Sequence, residues 1–565
     1  MDTTTSSGSS PATLQLHSII PENPIAAMEL SFPPFLRLKR QCLGSSVPGE
    51  FFLASCPSIV LHVLTTFDLG PRDLAKLEAT CSFFRKPANF SPDFDLSISE
   101  VAALDICQKR AIFKCMGDEE RQETKRRCGG SWKLVLKFLL AGEFGCRREK
   151  SQALAGPAHS ITVTSKGVVY SFGLNGSGQL GQGTTQDSWQ PRPVRSLNGI
   201  RIIQAALGTD RTFLISDAGE VYAFGKVCFS EAKLEVPETK LITTPQRVKS
   251  LAEIFVVQAA IGNYFTAVLS REGRVYTLSW GNDERLGHQT DHSCSLPQPL
   301  LGALENIPVV QIAAGFCYLL ALAFQPTGMS VYSVGCGLGG KLGHGLSDSD
   351  ASEKYPRLIK KFGLLNIEPV MVSAGPWHAA VVGKDGRVCM WGWGRFGCLG
   401  HGTEEAENAP KVVDGLKDVK AVHVATGVYT TFVVSDDGQV YSFGSGGANL
   451  GQDDVDENTL TPKLVSSLKE TKERMVHVSL TNSGNGTGHT FAMTESGTLY
   501  AFGAGNRGQL GVELGENLTE RAEPAKVAVK ESEKSGPSII KNKEIKGMGF
   551  SYKEAKAFLT IFSHH

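Results

Sequence analysis

The chain repeats itself, and no other property limits its fold as strongly. The phrase GVVYSFGLNGSGQLGQG at 167–183 returns six times in altered form. GEVYAFG ends at Gly225, GRVYTLSWGNDERLGH passes through Gly281 and MSVYSVGCGLGGKLGHG through Gly335. GRVCMWGWGRFGCLGHG passes through Gly392, GQVYSFGSGGANLGQ through Gly444 and GTLYAFGAGNRGQLG through Gly503. Counted from Gly173, the equivalent glycines are 52, 56, 54, 57, 52 and 59 residues apart. A near-constant period of this length marks a repeat architecture.

Each copy has one grammar. A short apolar segment ends in glycine (IIQAALG, VVQAAIG, VVQIAAG, VMVSAG, AVHVATG). An apolar strand such as TFLIS at 212–216 follows, then a turn of the DAG, REG, KDG, DDG or ESG kind, then the VYxFG strand. Two apolar runs joined by Asp-Gly or Glu-Gly read as a β-hairpin. A glycine-rich loop ending in LG comes next, and a P-x-x-V segment opens the following period. About 50 residues with three or four strands cannot bury both faces of a sheet; stacked radially, each sheet covers its neighbour. The expected class is mainly β: a seven-bladed β-propeller.

The recurring pattern G-x-x-x-T/H…G-x-V-Y-x-F-G-x-N-x-x-G-Q-L-G-x-G resembles the RCC1 repeat, named for regulator of chromosome condensation, and the expected membership is of the plant type. The resemblance covers about 150–530. The second copy departs from it, since KVCFSEAKLEVPETKLITT follows Gly225 without a GQLG loop. At the C-terminus, NKEIKGMGFSYKEAKAFLTIF at 542–562 aligns with the opening of a repeat. Residues 544–562 are therefore expected to close the ring beside the first copy near 150–183, and the propeller region is placed at 149–565.

The first part of the chain has a different period. Residues 1–50 are expected to be largely disordered and 51–148 helical. Val60, Val63, Leu64 and Phe67 follow helical spacing, and Leu74, Leu77, Cys81 and Phe84 form a second stripe. SISE at 97–100 is a capping-box pattern before a third helix. Residues 56–86 resemble an F-box: Pro57, Leu61, Leu64, Phe67, Asp73, Leu74, Leu77, Cys81, Phe84 and Arg85 fill the pattern, with Cys56 where that motif has Leu. The resemblance implies that the face of Pro57, Leu61 and Leu64 binds a Skp1-type adaptor of cullin ubiquitin ligases. The alternative is a helical cap that buries the same face on the propeller. Residues 101–150 hold twelve Lys/Arg against seven Asp/Glu, with KRR at 125–127 read as a solvated helix face.

No catalytic, cofactor or metal residue is assigned. Three GxGxxG matches, Gly335-Gly337-Gly340, Gly392-Gly394-Gly397 and Gly503-Gly505-Gly508, run into LG rather than an apolar helix and read as turns. His288, His344 and His401 recur in the LG loops, where equivalent positions on different blades lie far apart; they read as structural. Trp377 and His378, in the GPWHAA loop that heads a blade, are the expected partner-binding residues of one propeller face. Only six Trp occur, three of them in one copy, so the multi-blade tryptophan cluster of the plant UV-B photoreceptor is not expected.

Lys+Arg and Asp+Glu are both 57, which disfavours nucleic acid as a partner. The N-terminus has no secretory pattern, no apolar run is long enough to span a membrane, and the thirteen cysteines have no zinc-ligand spacing. Reduced thiols in nucleus or cytoplasm are expected. The function expected is non-catalytic protein interaction, with the propeller recognising a target and the F-box-like helices linking it to a ligase. Guanine-nucleotide exchange on a Ran-like small GTPase, or chromatin scaffolding, is the alternative.

Overall fold

The computed structural model describes residues 57–66, 69–80, 82–85, 96–146, 151–228, 239–279, 296–345, 352–452, 458–481, 488–515 and 517–529. Among them lie seven antiparallel four-stranded sheets, each built from four consecutive strands in sequence order. They are blades 1 to 7, spanning 152–193, 202–247, 256–299, 309–358, 369–412, 421–464 and 475–526. The apolar segment ending in glycine is the innermost strand, and the VYxFG strand is the third. The P-x-x-V segment belongs to the outermost strand of its own blade rather than to the next period, as in Ser188–Pro193. Proline lacks an amide donor, so it suits that exposed edge and blocks further strand pairing there. The irregular second copy still makes a full blade, by lengthening its third strand to Val221–Cys228 against Thr239–Arg247.

The innermost strand is also an edge, and its backbone groups must find partners across the gap to the next blade. Glutamine supplies them. The Gln258 side chain donates to Ile312 O (3.0 Å) and accepts from Ile312 N (2.9 Å). Gln311 does the same with Val372, at 3.2 and 3.1 Å, and Gln204 with Ala259, at 3.3 and 3.0 Å. Gln152 donates to Ile203 O and His423 Nε2 to Val478 O. Blade 5 has Met371 at this position. There the Ser373 and Thr426 hydroxyls pair at 2.8 Å, and Ser373 Oγ also accepts from Thr426 N.

A second latch lies at the start of the second strand. His159 Nε2 reaches Thr212 Oγ1 (3.2 Å), His378 Nε2 reaches Thr431 Oγ1 (2.8 Å) and His489 Nε2 reaches Ser160 Oγ (2.7 Å), each on the following blade. The last of these joins blade 7 to blade 1. The same seam holds Thr481 Oγ1 donating to Gly156 O and Phe172 edge-on to Phe491 at 6.0 Å. At this seam the LG loop also earns its glycine. Gly511 has φ 67°, and a Cβ there would lie 2.8 Å from the Phe172 ring. Gly400 stands in the same relation to Phe443. Among the described residues, side-chain latches join blade 7 to blade 1; the expected closing segment 544–562 lies outside the described residues.

Burial keeps the latching histidines neutral, pushing His378 and His489 down to about 3 and His159 to about 4. Nδ1 of His159 and of His378 meets no hydrogen-bond partner, so an imidazolium would carry an unanswered buried donor. The unfolded chain takes up these protons near pH ~6.5, the folded chain only near its lowered pKa values. Their stabilisation is therefore full above about pH 6.5 and is lost as pH falls, by up to ~1.4 kcal/mol per pH unit for each histidine. Thermal unfolding is expected to show a midpoint that falls steadily from about pH 6.5 to 5, above the carboxylate range. H378Q should flatten that slope, and a midpoint unchanged over this window would contradict the assignment.

Candidate functional site

The two ends of the propeller differ in what covers them. Loops joining strands 2 to 3, and each blade to the next, share one end. A helical layer packs there: α1 Pro57–Thr66, α2 Pro71–Thr80, α3 Ile98–Lys109, α4 Ala111–Lys114, α5 Asp118–Arg127 and α6 Trp132–Cys146. Ser97 caps α3 as the sequence predicts, accepting from Glu100 N. Glu100 completes a different link, accepting from Trp132 N (2.6 Å) and Ser131 Oγ (2.5 Å) at the start of α6. Trp132, Leu136 and Phe138 of α6 share one apolar cluster with Val310, Phe324 and Val331 of blade 4.

The basic run at 125–127 is not wholly solvated. Arg127 is buried, and its guanidinium donates to the carbonyls of Glu272 (2.6 Å), Ile307 (3.3 Å), Gly273 (3.5 Å) and Leu304 (3.5 Å). Burial lowers its pKa to about 10, with Arg274 adding repulsion, and it stays charged. Ion pairs Glu120–Arg271 and Glu123–Arg274 flank it. The helices and blades 3 and 4 are thus held by charge as well as by apolar contact.

The F-box-like residues divide accordingly. Leu64, Leu74 and Leu77 are buried in the same cluster that reaches blade 4, and Leu61 is half-buried against it. Asp73 is half-buried in the first turn of α2. Pro57 opens α1 as expected, though its side chain, like Phe67 and Cys81, lies outside the described residues. The solvent-facing side of these helices carries His62, Thr66, Arg72, Ala75, Lys76 and Ala79. The stripe that carries the motif is therefore mostly an inward stripe.

The opposite end, formed by the loops between strands 1 and 2 and between strands 3 and 4, carries an aromatic row. Tyr264 of blade 3 meets Phe316 of blade 4 edge-on at 5.6 Å; Phe316 stacks on Trp377 of blade 5 at 5.4 Å; Trp377 stacks on Trp393 at 5.0 Å. Phe396 meets Tyr429 of blade 6 at 5.0 Å. Phe396 holds φ 60°, a left-handed backbone that an aromatic residue adopts at some strain. The Arg395 guanidinium lies 5.0 Å from the Trp393 ring, and the Lys341 ammonium 5.1 Å from Trp377. Tyr264 is exposed; Phe316, Trp377, Trp393, Phe396 and Tyr429 are half-buried.

Trp377 and His378 part company. Successive strand residues point to opposite faces, so Trp377 joins the row while His378 is fully buried in the blade 5–blade 6 latch. Of the two, only Trp377 reaches the surface of this end. Trp391 is also buried, filling the position of Phe172 and donating to Lys341 O. Tyr318 donates to Gly375 O and His378 O, pinning the loop that presents Trp377. Tyr264, Phe316, Phe396 and Tyr429 are not among the residues expected from sequence, although the loop after the blade-heading glycine shows Tyr264, Trp377 and Tyr429 at one repeat position.

The glycine-rich loops behave as turns: short 3₁₀ turns, not α-helices, follow Gly337 and Gly394. His344 Nε2 lies 2.9 Å from Ser333 Oγ, the place that Gln182 and Gln452 take beside Ser171 and Ser442. His401 is half-buried, and His288 lies outside the described residues. Among the described residues no group of three or more His, Cys, Asp or Glu side chains is placed to hold a metal ion, and no helix is long and apolar enough to cross a membrane.

A ring of seven four-stranded blades, latched blade to blade and bearing loops of this kind, defines an RCC1-type propeller. The model of the regulator of chromosome condensation (RCC1) repeat matches residues 166–215, 272–322, 330–382 and 385–434. The chain is 30% identical over 382 residues to the ultraviolet-B receptor UVR8 of Arabidopsis thaliana, covering 67% of this chain and 70% of that protein. It belongs to the RCC1-repeat family. It is also 27% identical over 354 residues to the human E3 ubiquitin-protein ligase HERC2, matching 62% of this chain but spanning only 7% of HERC2. Among solved structures, Prp20p of Saccharomyces cerevisiae has the same fold (TM-score 0.50, 22% identity, 58% of this chain and 79% of that one). Yeast RCC1 (Prp20) bound to Kap60 likewise matches (TM-score 0.53, 19% identity, 69% and 87%).

The docking of the helical layer rests on Arg127 enough to be tested there. R127M keeps the stem but strands buried carbonyls, and is expected to lower unfolding stability by about 2–3 kcal/mol. Limited proteolysis should then release the helices before the propeller. R127K should rescue only partly, because an ammonium cannot fork to several carbonyls.

Proposed function

We propose that this protein is a non-catalytic interaction module whose propeller recognises a protein partner through the aromatic row. One observation carries the reading: aromatic side chains from four blades gather on the end that the helical layer leaves open, with Trp377 and Trp393 half-exposed at its centre. Clustered, rigid aromatic residues with an adjacent arginine are the composition of interface hot spots. The double variant W377A/W393A is expected to weaken partner binding by about 2 kcal/mol or more, roughly 30-fold, with little change in unfolding midpoint. Affinity capture with the wild-type chain and the double variant in parallel reads this out. An identical set of partners, bound equally well, would overturn it.

The helical layer links the propeller to a Skp1-type adaptor in the finer form of this proposal. The F-box-like spacing of 56–86 supports it. Since Leu64, Leu74 and Leu77 face inward, the adaptor would read the side bearing His62, Arg72 and Lys76. Binding of purified adaptor to the full chain, lost in H62D/K76E, is the expected result. A wild-type chain that ignores the adaptor removes the ligase link and leaves the propeller reading standing. Prp20p, whose described binding properties concern Gsp1p and histones, makes a GTPase the alternative class of partner to look for in the capture. Action in the nucleus or cytoplasm accords with each of these roles.

A further inference from the structure

Among the described residues, six blades crown their two central strands with one opposed residue pair on the aromatic end. The second member donates its amide to the carbonyl of the first: Leu174 to Ala158, Lys226 to Asp210, Trp393 to Trp377, Ser445 to Tyr429 and Ala504 to Gly488, all at 2.8–3.0 Å. In blade 4 the pair is Cys317 and Cys336, with the Cys336 amide 2.9 Å from the Cys317 carbonyl. The ladder beneath is in register, Tyr318 opposite Gly335 and Leu319 opposite Val334.

Opposed residues of an antiparallel pair put their side chains on one face, with Cβ atoms about 4.5–5.5 Å apart. A disulfide needs Cα atoms about 4.4–6.8 Å apart and Cβ atoms drawn to about 3.5–4.5 Å. The amide bond makes the crown a hydrogen-bonded pair, whose Cα atoms at about 5.5 Å fall inside the disulfide range and whose Cβ atoms must be drawn about 1 Å closer. In blade 5 the same two positions bring a pair of Trp rings to 5.0 Å, so crown side chains do face one another. Both cysteines carry thiols, Cys317 half-buried and Cys336 buried. Burial pushes the thiols of Cys128, Cys389 and Cys398 up to about 12 and raises that of Cys107 further still. Those four are inert because the thiolate is the reactive form.

We infer that Cys317 and Cys336 are a peroxide-responsive thiol pair that closes into a reversible disulfide. The thiolate of Cys317, the more exposed member, attacks one oxygen of hydrogen peroxide. An S–O bond forms, the O–O bond breaks, and the departing hydroxide takes a proton to become water. Cys336 then attacks the sulfenic sulfur as a thiolate; the S–S bond forms, the S–O bond breaks, and a second water leaves. Two thiols are oxidised and one peroxide is reduced to two waters. Phe316 precedes Cys317 and stacks on Trp377, so drawing the crown together shifts the ring that joins blade 4 to the aromatic row. This consequence for partner binding rests on the function proposed above; the disulfide itself does not.

The test uses the full chain treated with hydrogen peroxide, alkylated, and mapped by mass spectrometry without reduction. A linked pair of peptides carrying Cys317 and Cys336, short of two hydrogens and restored by a thiol reductant, is expected. C317S and C336S should each abolish it, and C115S should not. Cys317 carried to the sulfinic or sulfonic acid while Cys336 still alkylates, or either cysteine linked elsewhere, overturns the inference. Oxidation should also change the tryptophan emission of the wild type but not of C336S or W377F. A disulfide that forms with no such change overturns the coupling. Partner capture on the reduced chain tests the row separately.

Discussion

A propeller blade ends in two strand edges, and the fate of the inner edge governs the rest of this molecule. Its backbone donors and acceptors face a gap between blades too wide for a ladder. A glutamine amide carries the donor and acceptor of a peptide group on a side chain, so it can close that gap in both directions at once, as Gln258 does with Ile312 and Gln311 with Val372. Unpaired buried backbone groups are expensive, and in blades 2, 3 and 4 one glutamine answers both a donor and an acceptor of the next blade. Blade 5, with Met371, shows the requirement by its substitute: hydroxyls of Ser373 and Thr426 take over.

Once the ring is fixed, its two ends acquire different lives. One end receives the helical layer over blades 3 and 4, held by a buried guanidinium that satisfies backbone carbonyls rather than a carboxylate. The other end is left to loops whose side chains meet within blade 5, as Trp377 and Trp393 do, and across neighbouring blades. The aromatic row is a product of blade stacking: Phe316 and Trp377 are 61 positions apart by number and stack because their loops head neighbouring blades. The blade 4 crown of Cys317 and Cys336 sits inside the same arrangement, one residue from the row.

Much of the fold was legible in the chain because the repeat is a local signal. Glycines at turns, the VYxFG strand and the Asp-Gly hairpins each report local geometry, and seven copies report the number of blades. The site was legible only in part. Trp377 stood out as a residue, but its neighbour His378 has the opposite fate, and strand alternation could have separated them had the strand start been known. Tyr264 and Tyr429 sat at the same repeat position and carried a signal that was readable; Phe316, one place earlier in its loop, did not. Arg127 looked like part of a solvated basic run, since nothing local says that blade 3 lies against that helix.

The amino-acid sequence by itself determined the repeat, the hairpin of each blade, the seven-fold count and the helical character of the N-terminal region, because all of these follow from spacing along the chain. Tertiary structure alone decided which side chains latch the blades, which end the helices cover, and which aromatic rings meet. Those outcomes depend on contacts between residues from 16 to more than 300 positions apart, such as Trp377 with Trp393, His378 with Thr431 and His489 with Ser160. No local pattern encodes such contacts; they exist only when the blades form and stack.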